Sequence, residues 1–294
     1  MDIRSHEETM PHPAQELRRL LAGDEMIVAP GAYDCITART IEIAGFPACY
    51  MTGSGTAASL GYPDYGLITM SEMAANAARI AGAIRVPLIA DADTGFGNEL
   101  NVTRTVRAYE SAGVAGLHIE DQDFPKKCGH LSDKRVIPLD EYLPKIRAAA
   151  AARRTADFVI IARTDSRASL GLDEAIRRAN AALEAGADLA FVEAPQTVDE
   201  LAEVPRRVAG PCLLNLVYRG KTPSVPFDEA KRMGYRIIIL PSILLKSVYG
   251  IGDQVLAEAR RLGAHPALPG EVGVEEGFRR VGADEWDALR DRYR

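Results

Sequence analysis

Eight short apolar runs recur along this chain, each closing on a polar or glycine-rich end and followed by helical periodicity. They occupy 26–30, 48–52, 87–90, 116–119, 158–162, 189–192, 212–216 and 236–240. Within each run the hydrophobicity is continuous rather than alternating, as in strands buried on both faces of a parallel sheet. The spacing of the runs, mostly about 22–40 residues, suits one strand–helix unit each. Eight such units in order predict an α/β fold, a (β/α)8 or TIM barrel. A doubly wound open sheet is the rival. It lacks support in a GxGxxG loop, since Ala29-Pro30-Gly31-Ala32 has the wrong spacing. Helical periods are clear at 69–83, 98–112, 140–153, 172–185 and 198–208, with caps expected at Ser71 with Glu72 and at Asp140 with Glu141.

Length alone, 294 residues, would suit two domains, but barrels of roughly 250 residues commonly form one. One barrel domain is expected over 1–294, with a helical extension at 1–22 that caps the barrel bottom. A helix at 243–262, a Gly/Pro break and a helical tail at 271–294 exceed a minimal barrel. Such an appendage packs on a neighbouring subunit or on its own barrel base. The charge balance, 35 basic against 41 acidic residues with no basic block, argues against nucleic acid as a partner. No apolar run reaches the ~18 residues of a membrane span, and residues 1–21 carry no secretory h-region. Four scattered cysteines without a CxxC pair fit a reducing cytoplasm; Cys49 and Cys212, in apolar runs, read as core.

Barrel active sites lie where the strands end. Asp91 and Asp93 follow the third run, Glu120 the fourth, Arg163 the fifth, Glu193 the sixth and Asn215 the seventh. On a strand, the spacing of Asp91 and Asp93 puts both carboxylates on one face. Carboxylates so close need a cation between them or a shared proton. Oxygen ligands without histidine suit Mg2+, or Mn2+, rather than zinc. The bland alternative is that Asp91 and Asp93 cap the next helix. Gly53-Ser54-Gly55 offers backbone N–H groups and a hydroxyl to a carboxylate or phosphonate, or is a plain turn. Arg163 either grips a substrate carboxylate bidentately or pairs with Asp165 or Glu193. His118, inside an apolar run, reads as a core residue sooner than a catalytic one. Tyr50 reads equally as a contact for developing charge and as core. After Glu120 comes Lys126-Lys127-Cys128-Gly129-His130. Neighbouring cations lower a thiol from about 8.5 to roughly 3.5–7.5, so an ionisable sulfur beside acids points to acid–base chemistry on an anion.

The segments Met51-Thr52-Gly53-Ser54-Gly55-Thr56-Ala57, 91–98, 117–122, 126–130, 161–165 and Gly220-Lys221-Thr222-Pro223 resemble the isocitrate lyase/phosphoenolpyruvate mutase superfamily. The resemblance runs from about Pro30 to Leu262 and is strongest with the short bacterial-type lyases. It implies Mg2+ held mainly through water by Asp91, Asp93 and Glu120, with Asp64 near the site. It implies that Cys128 is the general acid/base on a loop that closes over substrate. It assigns substrate contacts to Tyr50, Thr52, Gly53, Ser54, Gly129, His130, Arg163, Glu193 and Asn215; Lys127, beside the cysteine, is a further candidate contact. It implies a small carboxylate substrate of the 2-methylisocitrate or 2,3-dimethylmalate type, cleaved by retro-aldol chemistry. A phosphonate-forming mutase and an oxaloacetate hydrolase or decarboxylase are the alternatives; true phosphoenolpyruvate mutases lack the cysteine. It further implies a homo-oligomer, a dimer of dimers that exchange the last barrel helix. Two departures lie at the barrel mouth: Tyr218-Arg219 where many relatives carry Glu-Gly, and Pro241-Ser242-Ile243 where Pro-Leu-Ser is usual.

Overall fold

The computed structural model describes residues 12–131, 134–270 and 272–294. Residues 1–11 of the expected extension and residue 271 of the expected tail lie outside that set. Eight parallel strands close into a barrel in sequence order. They are β1 (Ile27–Ala32), β2 (Cys49–Met51), β3 (Leu88–Asp91), β4 (Gly116–Glu120), β5 (Val159–Thr164), β6 (Leu189–Val192), β7 (Cys212–Asn215) and β8 (Tyr235–Leu240). Closure is made by β1 on β8, with Ile27 opposite Ile237 and Pro30 opposite Leu240. The helices are α1 (Pro13–Ala22), α2 (Cys35–Ile43), α3 (Gly53–Ser59), α4 (Met70–Ala83), α5 (Glu99–Ser111), α6 (Leu139–Ala152) and α7 (Arg167–Leu170). They continue with α8 (Leu172–Glu184), α9 (Val198–Arg207), α10 (Phe227–Met233), α11 (Ile243–Leu262), α12 (Val274–Arg280) and α13 (Ala283–Arg292).

Alternate strand residues fill the barrel: Ile27, Ala29, Tyr50, Ile89, Val159, Ile161, Phe191, Leu213, Ile237 and Ile239 form one buried cluster. Leu17 of α1 joins it, fully buried. The intervening residues meet the outer helices in two further clusters. The end of the barrel away from the strand C-termini carries a structural ion cluster, in which Asp188 accepts from Arg18 and Arg153, each at 2.8 Å.

Local chemistry explains most element starts. Thr69 caps α4 with Glu72 in a reciprocal capping box, so the cap lies two residues before the expected Ser71. Helix α6 starts after Pro138, with Asp140 and Glu141 in its first turn and no side-chain cap. The Gly53–Gly55 segment is neither an open loop nor a plain turn; it is the first turn of α3, capped by Thr52.

Candidate active site

The strand C-termini gather the acids. The sharing of space by Asp91 and Asp93 does not come from strand alternation, because β3 ends at Asp91. The chain turns instead. Asp93 takes a left-handed backbone, φ 45, and its N–H donates to Asp91 Oδ1 at 2.9 Å. Left-handed non-glycine residues cost of order 1–3 kcal/mol and cluster at functional sites. All four in the described residues, Asp93, Phe96, Ala194 and Arg219, follow β3, β6 or β7.

Phenols on the outer helices hold the strand ends from behind. Tyr109 of α5 donates to the Asp91 carbonyl at 3.0 Å. Tyr142 of α6 donates to the carbonyls of Ile119 and Arg163 at 3.0 and 2.8 Å. Asp121, pointing outward where Glu120 points in, accepts from Thr164, from the Asp165 N–H and from Arg178. Arg178 sits on a helix face otherwise made of Ala175, Ile176, Ala179 and Ala182. A charge on a buried stripe was the signal for this brace, and the sequence reading passed over it.

Inside the cluster, Tyr50 Oη lies 2.8 Å from His118 Nε2 and 3.4 Å from Asp91 Oδ2. Burial pushes the Tyr50 phenol well above its usual range, so it remains a proton-bearing donor. Burial also holds His118 down, to about 4, leaving it neutral. His118 is therefore a core residue that touches the site through Tyr50. Arg163 is held by Asp165, Nε to Oδ2 at 2.8 Å, and reaches Glu120 Oε2 at 3.2 Å and Glu193 Oε2 at 3.8 Å. Its pairing with Asp165 and Glu193 and its place in the site are thus compatible. Burial opposes the Glu193 charge, but Arg163 and a hydrogen bond from His130 outweigh it and hold the carboxyl below its usual range. Asn215 Nδ2 also donates to Glu193, at 3.1 Å.

A divalent cation fits this donor set. Glu120 is fully buried, and neither of its oxygens has a hydrogen-bond partner among the described residues. Burial pushes its carboxyl well above the usual range. A buried carboxylate with no hydrogen bond is costly, and the cation paired with it, Arg163 at 3.2 Å, is shared with Asp165 and Glu193, so a further cation would be accommodated. The backbone at Gly53 leaves space beside the acids: a Cβ there would lie 2.5 Å from Asp91 Oδ2 and 3.4 Å from Asp93 Oδ1. No three Asp, Glu, His or Cys side chains among the described residues converge closely enough to ligate an ion directly. A divalent ion among these acids would therefore need waters to complete its coordination, as Mg2+ usually keeps. Besides Arg163, a cation among the acids is Lys126, whose Nζ lies 2.5 Å from both Asp64 and Asp93.

The segment carrying Cys128 is folded over this cluster. Its base is a short antiparallel return, with Gln122 opposite Val136 and the Asp123 N–H donating to the Arg135 carbonyl. Gln122 clasps the backbone of Lys127 from both sides. The Lys127 side chain itself is exposed and has no ion pair among the described residues, so it stands apart from the acids. The Leu131 N–H donates to the Cys128 carbonyl at 2.9 Å, making a tight turn. In that turn His130 Nδ1 accepts from the Lys221 N–H at 2.9 Å, and Nε2 faces Glu193 Oε1 at 3.0 Å. Nδ1 is thereby an acceptor and the ring proton sits on Nε2.

The expected low thiol pKa does not survive this geometry. The nearby cation Lys126 is committed to Asp64 and Asp93, and the His130 ring is turned to Glu193. Burial pushes the Cys128 thiol up from 9.0, and the Asp64 and Glu193 charges add to it against Arg163. Cys128 is a protonated thiol at neutral pH. A participant the sequence reading missed is Lys134, which meets Asp165 at 2.6 Å with both side chains fully buried.

The family model for phosphoenolpyruvate phosphomutase matches residues 17–260. The chain is 49% identical over 230 residues to 2,3-dimethylmalate lyase of Eubacterium barkeri, covering 78% of this chain and 80% of that protein. It is 43% identical over 258 residues to 2-methylisocitrate lyase of Aeropyrum pernix, covering 88% and 83%. A solved oxaloacetate acetylhydrolase in complex with 3,3-difluorooxalacetate superposes with a TM-score of 0.93 at 42% identity, covering 96% of this chain and 97% of that one. A phosphonopyruvate hydrolase solved with oxalate and Mg2+ superposes with a TM-score of 0.86 at 32% identity, covering 96% and 99%.

Proposed function

This chain belongs to the phosphoenolpyruvate mutase/isocitrate lyase superfamily, and on that premise we propose that it is a Mg2+-dependent carbon–carbon lyase. Its substrate is a small 2-hydroxy di- or tricarboxylate of the 2,3-dimethylmalate or 2-methylisocitrate type. The reading rests above all on one observation: the half-buried thiol of Cys128 lies in a turn folded over clustered acids and a fixed arginine.

In the proposed reaction the substrate hydroxyl gives up its proton to a basic group of the acid cluster. The C–O bond becomes a carbonyl, the adjacent C–C bond breaks, and its electrons remain on the second fragment as an enolate. The Cys128 S–H then protonates the enolate carbon, and the cycle closes when the acid cluster releases the hydroxyl proton to solvent and the thiolate takes one up. Arg163 neutralises developing oxyanion charge and Tyr50 donates to it, both within a dry site where such interactions are strongest. Thr52, Gly53, Ser54, Gly129, His130, Glu193 and Asn215 orient the carboxylates. Asp91, Asp93 and Glu120, with Asp64, would hold Mg2+ through water, and the bound ion would supply Lewis-acid stabilisation of the oxyanions.

The test is a screen of 2,3-dimethylmalate, 2-methylisocitrate, oxaloacetate and phosphoenolpyruvate. It follows 2-oxo acid release and 31P spectra, with Mg2+ removed by chelation and then restored. A 2-oxo acid released from one of the two hydroxy acids, lost on chelation and regained with Mg2+, is expected. Turnover of oxaloacetate or phosphoenolpyruvate with neither hydroxy acid cleaved would sink the proposal. Oxaloacetate hydrolysis is the second reading, supported by the similarity to the acetylhydrolase.

Since the donor is the protonated thiol, activity should be level through neutral pH and fall only at pH above the ordinary thiol range, where Cys128 begins to ionise. A limb near pH 7 in kcat/KM that disappears in Cys128→Ser would contradict the raised thiol.

The same reading extends to assembly. Helix α11 buries none of its residues, and Val248, Tyr249, Ile251 and Leu256 are exposed. A contiguous apolar face of this kind is a liability unless covered. A homo-oligomer that exchanges α11 accounts for it. Light scattering should give a multiple of 31.8 kDa, and Leu256→Glu should shift the species toward the single chain. A wild-type protein of 31.8 kDa in solution would refute it.

A further inference from the structure

Lys134 lies beyond the cysteine motif and no part of the mechanism above uses it. Yet its side chain is fully buried. The Nζ donates to the Gly129 carbonyl and to Asp165 Oδ1, both at 2.6 Å. We propose that Lys134 is the positioning residue of the Cys128 turn, an internal strut joining the carbonyl next to the thiol to the acid that also fixes Arg163. The inference rests on the lyase reading only for the meaning of the thiol; the strut itself is a matter of geometry.

Three observations carry it. First, a desolvated ammonium is expensive and a buried ion pair is weak evidence of stability. Asp165 does not depend on Lys134 for its hydrogen bonding, because Arg163 already grips it with two bonds, at 2.8 and 3.2 Å. Second, the carbonyl it holds is the critical one. Gly129 presses on the floor of the site so closely that a Cβ would lie 2.5 Å from Arg163 Nη2 and 2.7 Å from Glu193 Cγ. A small rotation of that peptide would swing the thiol. Third, the neighbouring groups of the turn are tied elsewhere: Lys126 to Asp64, His130 to Glu193, and the Leu131 carbonyl to Lys221 Nζ at 3.0 Å. The described contacts leave the Gly129 carbonyl to Lys134. Through Asp165, turn and arginine share one anchor, so proton donor and oxyanion partner are set relative to each other.

Lys134→Met keeps the length and apolar packing, removes the bonds and leaves Asp165 paired with Arg163. The melting temperature should therefore stay close to wild type. The rate of Cys128 alkylation by iodoacetamide, read by peptide mapping against the buried Cys49 and Cys212, should rise by at least about 10-fold as the turn opens. Turnover should fall about 10²-fold, mostly in kcat, as expected for misplacement of a reacting group by an ångström. Lys134→Arg should recover part of both. A folded Lys134→Met protein with wild-type alkylation and wild-type kcat would overturn the strut. Hydrogen exchange on the wild-type protein keeps the idea testable if the variant does not fold: the Leu131 amide, bonded to the Cys128 carbonyl at 2.9 Å, should be protected well beyond loop amides, and exchange at loop rates would also overturn it. Alkylation and exchange need no substrate, so these readouts can succeed where the lyase assignment fails, or the reverse.

Discussion

Cys128→Ala should lower turnover by about 10²–10⁴-fold, the range for losing a positioned general acid, while Mg2+ and product still bind. The thiol is the one group in the turn whose burial and neighbouring acids keep a proton on an acidic heteroatom. Removing it takes away proton delivery and leaves Arg163, Tyr50 and the acids in place. Cys128→Ser should fare little better, because an alcohol is a far weaker acid than a thiol. Isothermal titration of Mg2+ and of product against both variants, beside steady-state kinetics, checks this. Near-full activity in the alanine variant would remove Cys128 from the reaction.

The second large effect is Gly129→Ala. The added Cβ would sit 2.5 Å from Arg163 Nη2 and 2.8 Å from Glu193 Cδ. Neither neighbour is a free side-chain end, because Arg163 is locked to Asp165 and Glu193 to Asn215 and His130. The turn must lift, and a displacement of about 1 Å is enough for a 10²-fold loss of kcat. Stability should change little, since a lifted surface turn leaves the barrel core intact. Gly82→Ala is the matched control: it lies inside α4 with open space around it, and should be neutral or stabilising by up to about 1 kcal/mol. Equal kinetics for the two glycine variants would mean that the closed turn plays no part in catalysis.

The barrel was legible because burial on both faces writes continuous apolar runs, and all eight correspond to strands. Element starts were less so: the cap of α4 is Thr69 and not Ser71, since either hydroxyl satisfies the local pattern. The acids, Arg163 and Cys128 were visible because strand ends converge on the mouth of any such barrel. Their electrostatics were not. Whether Lys126 and His130 lower a thiol depends on what else they bind, and Asp64, Asp93 and Glu193 lie far away in sequence. Lys127 shows the converse, a charge within the motif that points to solvent. Lys134 had no signal at all; a lysine in a polar loop looks solvated until its burial is seen.

The phenols of Tyr109 and Tyr142 brace the strand ends from the helical shell, independently of the loops above them. The acids are thereby held independently of the rim, whereas the Cys128 turn is tied to it through Lys221, which donates to His130 and Leu131. The acid floor is secured from outside the barrel, whereas Tyr218 and Arg219 belong to a rim that can be exchanged without disturbing it. A scaffold divided in this way can acquire new substrates by replacing its rim, segment by segment, on an unaltered foundation.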